Sequence, residues 1–193
     1  MPQMSIGGLV LGTNQVIKAV QYGSINFTDD AFLTLTDTIN TVDLDNTYII
    51  FLGATTNVAA ENLGVSLFRV ELTNATTVTA YRYEGDAFTD DLTVQYCVVE
   101  FMPGVLKSVQ AGTIFMNGAQ HASNTATINS VNTTKSVVYH LGEIAAGAAT
   151  GTEPQAYTNL TLTNATTITA FRGSAGGSST DDTTVGYIVT EYY

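Results

Sequence analysis

Two histidines, one cysteine and 17 carboxylates are the side chains of this 193-residue sequence that could hold a metal, carry a nucleophile or move a proton. Their spacing offers little chemistry. His121 falls in a polar turn and His140 in an apolar run, with no cysteine or acidic cluster at metal-ligand spacing, so they read as one surface and one strand histidine. Cys97 lies in the alternating run Val94-Gln95-Tyr96-Cys97-Val98 and reads as a small packing residue. No Gly-x-Ser-x-Gly elbow is present. The carboxylate pairs Asp90-Asp91 and Asp181-Asp182 are the weak metal candidates, since adjacent acidic loops can offer oxygen ligands to Ca²⁺. Turn capping by Asp accounts for the same pairs without an ion. The Gly-rich stretch 173–179 precedes a strand pattern, not a helix, so it does not fit a phosphate loop. The expectation is a protein without catalytic residues or a cofactor.

What must position these residues is a repeat. Val16-Ile17-Lys18-Ala19-Val20-Gln21-Tyr22-Gly23-Ser24-Ile25 returns 89 residues later as Val105-Leu106-Lys107-Ser108-Val109-Gln110-Ala111-Gly112-Thr113-Ile114, and Leu52-Gly53 returns as Leu141-Gly142. Thr73-Asn74-Ala75-Thr76-Thr77-Val78-Thr79-Ala80-Tyr81-Arg82 matches Thr163 to Arg172 at an offset of 90, and Thr93-Val94, Tyr96 and Glu100 match Thr184-Val185, Tyr187 and Glu191 at 91. Two units follow, 16–101 and 105–193, joined by Met102-Pro103-Gly104 and preceded by an arm at 1–15.

Alternation predicts strands at 16–21, 24–28, 33–42, 46–53, 65–72, 76–82 and 92–101, with counterparts in the second unit. Gly142 to Ala149 reads as a loop. Many short strands without an amphipathic helix predict an all-β chain of two tandem antiparallel β-sandwich (jelly-roll-like) units from an internal duplication.

Four of the six basic residues recur at matching places: Lys18 with Lys107, and Arg82 with Arg172. The period of two puts Arg82 on the face of Val78 and Ala80, and Glu100 on the face of Val94, Tyr96 and Val98. Because a charge on an apolar face needs a partner, this predicts structural ion pairs Arg82–Glu100 and Arg172–Glu191.

Composition narrows the partners. A net charge of -11 argues against a protein that grips phosphate backbones, and no apolar run is long enough to span a membrane. One cysteine excludes an internal disulfide framework. Only 12% of residues are charged, against about 25% in an ordinary domain. Thr fills the gap with 32 copies and favours strands without adding charge.

The order Lys-x-Val-Gln-x-Gly-[ST]-Ile, Leu-Thr-Asn-Ala-Thr-Thr-[VI]-Thr-Ala-x-Arg and a closing Val-x-Tyr-x-Val-x-Glu-[FY] resembles small β-sandwich proteins of tailed bacteriophages, themselves distantly like H-type lectin sandwiches. The resemblance covers both repeats and implies a non-enzymatic virion protein made in the host cytoplasm. Its leading form is a capsid decoration or cement protein, self-associated, with a trimer expected, and bound to other virion proteins such as the major capsid protein. The alternative is a lectin-like module of a tail fibre or tail tip that binds host glycans. The tandem duplication departs from the single-unit pattern.

Overall fold

The computed structural model describes residues 15–28, 33–56, 66–83, 92–117, 122–145, 157–173 and 182–193. Residues 1–14 of the arm, His121, and Asp90, Asp91 and Asp181 lie outside them. The chain is all-β, and its paired strands run antiparallel. The N-terminal half contributes β1 (Ile17–Phe27), β2 (Thr34–Thr38), β3 (Thr47–Thr56), β4 (Arg69–Asn74), β5 (Thr77–Tyr81) and β6 (Leu92–Phe101). The C-terminal half contributes β7 (Leu106–Met116), β8 (Ser123–Thr127), β9 (Ser136–Ala145), β10 (Thr158–Asn164), β11 (Thr167–Arg172) and β12 (Thr183–Tyr192). Sheet orders are β1-β6-β3, β10-β11-β8 and β2-β5-β4-β9-β12-β7.

Alternation explains the core. On β6, Val94, Tyr96 and Val98 turn inward and pack with Ile25 and Phe27 of β1 and Val78 and Ala80 of β5. On β12, Val185, Tyr187 and Val189 do the same with Ile114, Met116, Ile168 and Ala170. The N-terminal cluster extends into the C-terminal half through Leu106, Leu141 and Ile188. The opposite face of β6 is also covered: Cys97, Val99 and Phe101 are buried, which makes the end of this strand apolar on both sides.

Besides shifts of strand ends such as 65–72 to Arg69–Asn74, three strand expectations change. Segments 16–21 and 24–28 fuse into the single β1, because Gly23 is a crossing point and not a turn. A Cβ there would overlap the Tyr96 ring lying across it, and Gly112 makes the same room for Tyr187. The span 33–42 shortens to Thr34–Thr38, after which Ile39 N–H donates to the Thr76 carbonyl at 3.0 Å and Val42 N–H to that of Ala75 at 2.9 Å. Residues 142–145, expected in a loop, complete β9.

That last change comes from a bulge. The pairing of β9 with β12 shifts between Val185 and Tyr187, and β3 with β6 shifts likewise between Phe51 and Gly53. Gly142 has φ +84° and Gly53 φ +114°, the left-handed region in which a residue without Cβ is favoured. At Gly142 the strand also meets β4, through a pairing with Arg69.

Candidate functional site

The recurring charges are tied up near their strand ends, but not as expected. Glu100 is buried and receives the Lys18 ammonium at 2.8 Å and the Asp43 N–H at 2.9 Å. Glu191 receives Lys107 at 2.8 Å and the Asn132 N–H at 3.0 Å. These two donors hold the Glu191 carboxyl below the usual carboxylate range, the Lys107 hydrogen bond contributing most. The predicted Arg82–Glu100 and Arg172–Glu191 pairs are therefore overturned. Antiparallel register explains why. Arg82 lies over the Phe27 ring at 5.0 Å, and Phe27 pairs with Leu92 at the far end of β6 from Glu100. Arg172 donates to the Asn117 carbonyl at 2.9 Å and to Thr183 Oγ1 at 3.4 Å, at the opposite end of β12 from Glu191. Both arginines are buried, each in the end layer of its half.

Because the acceptor is buried and the ammonium half-exposed, the two partners of each pair are not equivalent. Glu100→Ala is expected to cost about 2 kcal/mol by leaving the Asp43 N–H without an acceptor. Lys18→Ala, with 51% of its side chain exposed, is expected to cost less than about 1 kcal/mol. Urea titrations of the two variants check the order; equal losses would contradict it.

Other repeated residues close turns. Gln21 brackets Asn40, donating to its carbonyl at 3.1 Å and accepting from its N–H at 2.7 Å, and Gln110 brackets Asn129 at 3.2 and 2.7 Å. Asn74 and Asn164 each accept from the backbone N–H two residues on, at 2.9 Å.

One polar cluster lacks a counterpart in the N-terminal half. Gly142 N–H donates to His140 Nδ1 at 3.0 Å, which places the proton of the neutral ring on Nε2, 3.0 Å from Thr158 Oγ1. Thr158 in turn donates from both Oγ1 and, at 2.8 Å, its N–H to Glu143 Oε2. Burial pushes the Glu143 carboxyl up to about 7 against the lowering effect of those two bonds, and burial pushes His140 down. At the matching positions stand Phe51, Ala54 and Phe68.

The arrangement can move little. His140 Nε2 is a donor to the hydroxyl, so the ring cannot take the Thr158 proton, and the carboxyl that accepts it is enclosed. The chain of bonds runs from imidazole through hydroxyl to carboxyl and ties the start of β10 to β9. Sequence reading missed it. Glu143 was expected in a loop, and Thr158 lies 15 residues further on. The period-2 relation of His140 to Gly142 within one strand was the available signal.

Cys97 is buried, and burial pushes its thiol up, the direction of an inert packing residue. Among the described residues, no three His, Cys, Asp or Glu side chains converge as a metal site would require, and no helix is long and apolar enough to cross a membrane. Of the four candidate metal ligands only Asp182 falls within the described residues. Set against known protein families, curated proteins and solved structures, the chain matches none.

Proposed function

We propose that this chain is a non-enzymatic structural component of a phage virion, a capsid decoration or cement protein that assembles as an oligomer on the particle. In this reading it consists of two tandem jelly-roll-like units, 16–101 and 105–193, held by the joint at 102–104. The orders β1-β6-β3 with β2-β5-β4, and β7-β12-β9 with β8-β11-β10, support such units, since first and last strands pair in each half.

The observation that carries the reading is where the polar side chains spend their hydrogen bonds. Lys18, Lys107, Gln21, Gln110, Asn74 and Asn164 all bond within the fold, so the residues kept in both halves hold turns and strand ends. The surface they leave is rich in Thr and carries exposed apolar side chains such as Tyr22, Leu52 and Phe171. Such a surface suits association better than turnover.

Labelling the protein on purified particles tests this. Density over the capsid shell is the expected result. Attachment at the tail with selective binding on a glycan array would replace it with the lectin-like alternative, and absence from the particle would end both.

A further inference from the structure

The two halves meet unsymmetrically. The edge of the N-terminal half formed by β3 and β4 rests on the outward face of β7, β12 and β9. Tyr48 stacks on Tyr139 with ring centroids 4.9 Å apart. Ile49 and Leu72 share a cavity of about 210 Å³ with Val109, Ala111 and Ile188. Next to it β4 joins β9 through Arg69 and Gly142, so that two three-stranded sheets become one of six.

Among the described residues the reverse contact is unmade. β3 ends the sheet β1-β6-β3 and β10 ends the sheet β10-β11-β8, although the matching strands β9 and β4 are joined. The matching side chains are uncovered in the same pattern. Leu141 is 2% exposed where its counterpart Leu52 is 49% exposed, and Tyr48 is 8% exposed where Val137 is 41% exposed. Val20, at the place of Val109, is 44% exposed. Gly142 lies against the Phe68 carbonyl, whereas Gly53 has nothing within 4 Å.

Sizes at the unmade contact are complementary. Inside the chain the long Arg69 side chain packs over Gly186, where a Cβ would stand 2.8 Å from Arg69 Cδ. The counterparts are Asn159 and Gln95, a short residue facing a long one. Tyr48 on Tyr139 becomes Val137 facing Ile50.

We propose that the exposed part of the outward face of β1 and β3, around Val20, Tyr22 and Leu52, takes the β9–β10 edge of a second copy of this chain, with β10 of one copy extending β3 of the next as β4 extends β9 within a copy. The inference rests on the reading of the chain as two equivalent units and is independent of a virion role. Each copy gives one edge and accepts one, so the contact is heterologous and generates a ring when its rotation closes. Three copies would set six units around such a ring. Sheet edges that no other described strand pairs, flanked by apolar side chains, favour this continuation.

Native mass spectrometry and sedimentation of the full chain at micromolar concentration test it with two variants. Leu52→Glu spoils the face and Val137→Glu the edge. Both positions are exposed in the single chain, so circular dichroism and melting of the isolated variants should match a folded chain. The unsubstituted protein is expected to run as a closed oligomer of three or more copies. Each variant alone should associate about 100-fold more weakly or worse. An equal mixture should give one-to-one dimers, because the intact edge of the Leu52→Glu chain still meets the intact face of the Val137→Glu chain. A monomeric or simply dimeric unsubstituted protein, a variant that keeps the original mass, or a mixture that stays monomeric would overturn the proposal. These masses do not depend on where the protein sits on a particle, so this inference and the virion reading fail separately.

Discussion

Gly142→Ala is expected to be among the most damaging single substitutions in the chain, and Gly53→Ala at the matching position a mild one. Both residues sit at a β-bulge with positive φ, so both substitutions carry the left-handed cost of about 1–2 kcal/mol. The surroundings differ. A methyl group at Gly142 would overlap the Phe68 carbonyl oxygen and crowd Arg69 Cα, whereas one at Gly53 meets nothing within 4 Å. Backbone on backbone cannot turn aside as a flexible side chain can. Relief requires β4 to lift from β9, and with it the Arg69–Gly142 pairing that joins the halves. The expected loss at Gly142 is more than about 4 kcal/mol, in the range of substitutions that break a buried joint. Urea unfolding of both variants as dilute single chains measures the gap. Equal losses would show that bulge strain alone matters and that the joint between the halves is loose. In an assembled ring the gap should narrow, because a neighbour would then lie over Gly53.

The second large effect is a dependence on pH that one substitution removes. Enclosure raises the Glu143 carboxyl from 4.5 to about 7, so the folded chain holds this proton more tightly than the unfolded one. Stability from this group is therefore complete below about pH 4.5 and declines as pH rises to 7. A rise from 4.5 to about 7 corresponds to roughly 3 kcal/mol lost by pH 8. His140 works the other way, since its lowered pKa makes protonation favour the unfolded chain as pH falls below about 6.5. Glu143→Gln separates the two. Its carbonyl oxygen still accepts from Thr158, but it has no charge to enclose. Thermal melts at pH 5 and pH 8 should show the variant gaining up to about 3 kcal/mol over the unsubstituted protein at the higher pH only. Parallel profiles would mean that the carboxyl is ionised in the fold without cost.

The two predictions lie on residues that the sequence shows with unequal clarity. Leu-Gly at 52–53 and 141–142 was visible as a repeat, and the alternation on β6 and β12 correctly set Glu100 and Glu191 on buried faces. Alternation assigns a face and not a distance along the strand, which is why Arg82 seemed to serve Glu100. For Lys18 the repeat pointed to no partner. The pairing of β1 with β6 slips between Ile17 and Ala19, and the Lys18 ammonium reaches the inward carboxylate at that slip. A bulge of one residue leaves no mark in composition. Gly23 misled for a related reason: a glycine that ends a strand and one that makes room for a tyrosine across it look alike in one dimension. The His140–Thr158–Glu143 chain stayed hidden because the sequence between its parts carries no strand pattern. The way the halves meet was beyond reach altogether, since it depends on Ala111 and Gly186 being smaller than Tyr22 and Gln95, a difference with meaning only once the faces are known.

Pairing of first strand with last has a kinetic side. β1 binds β6 and β7 binds β12, so each half must close a chain segment of more than 60 residues before its central sheet exists. Contacts so distant in sequence fold slowly. The likeness of β1 to β7, identical at 5 of 11 aligned residues, adds a hazard, for β12 could capture either strand. Order of synthesis works against that error. β6 leaves the ribosome before β7 does, so β1 meets its own partner first, and the tight turn at Pro103-Gly104 then delivers β7 when the place beside β6 is already filled. Refolding of the whole chain from denaturant lacks this sequence of events and should yield more mispaired product than translation does.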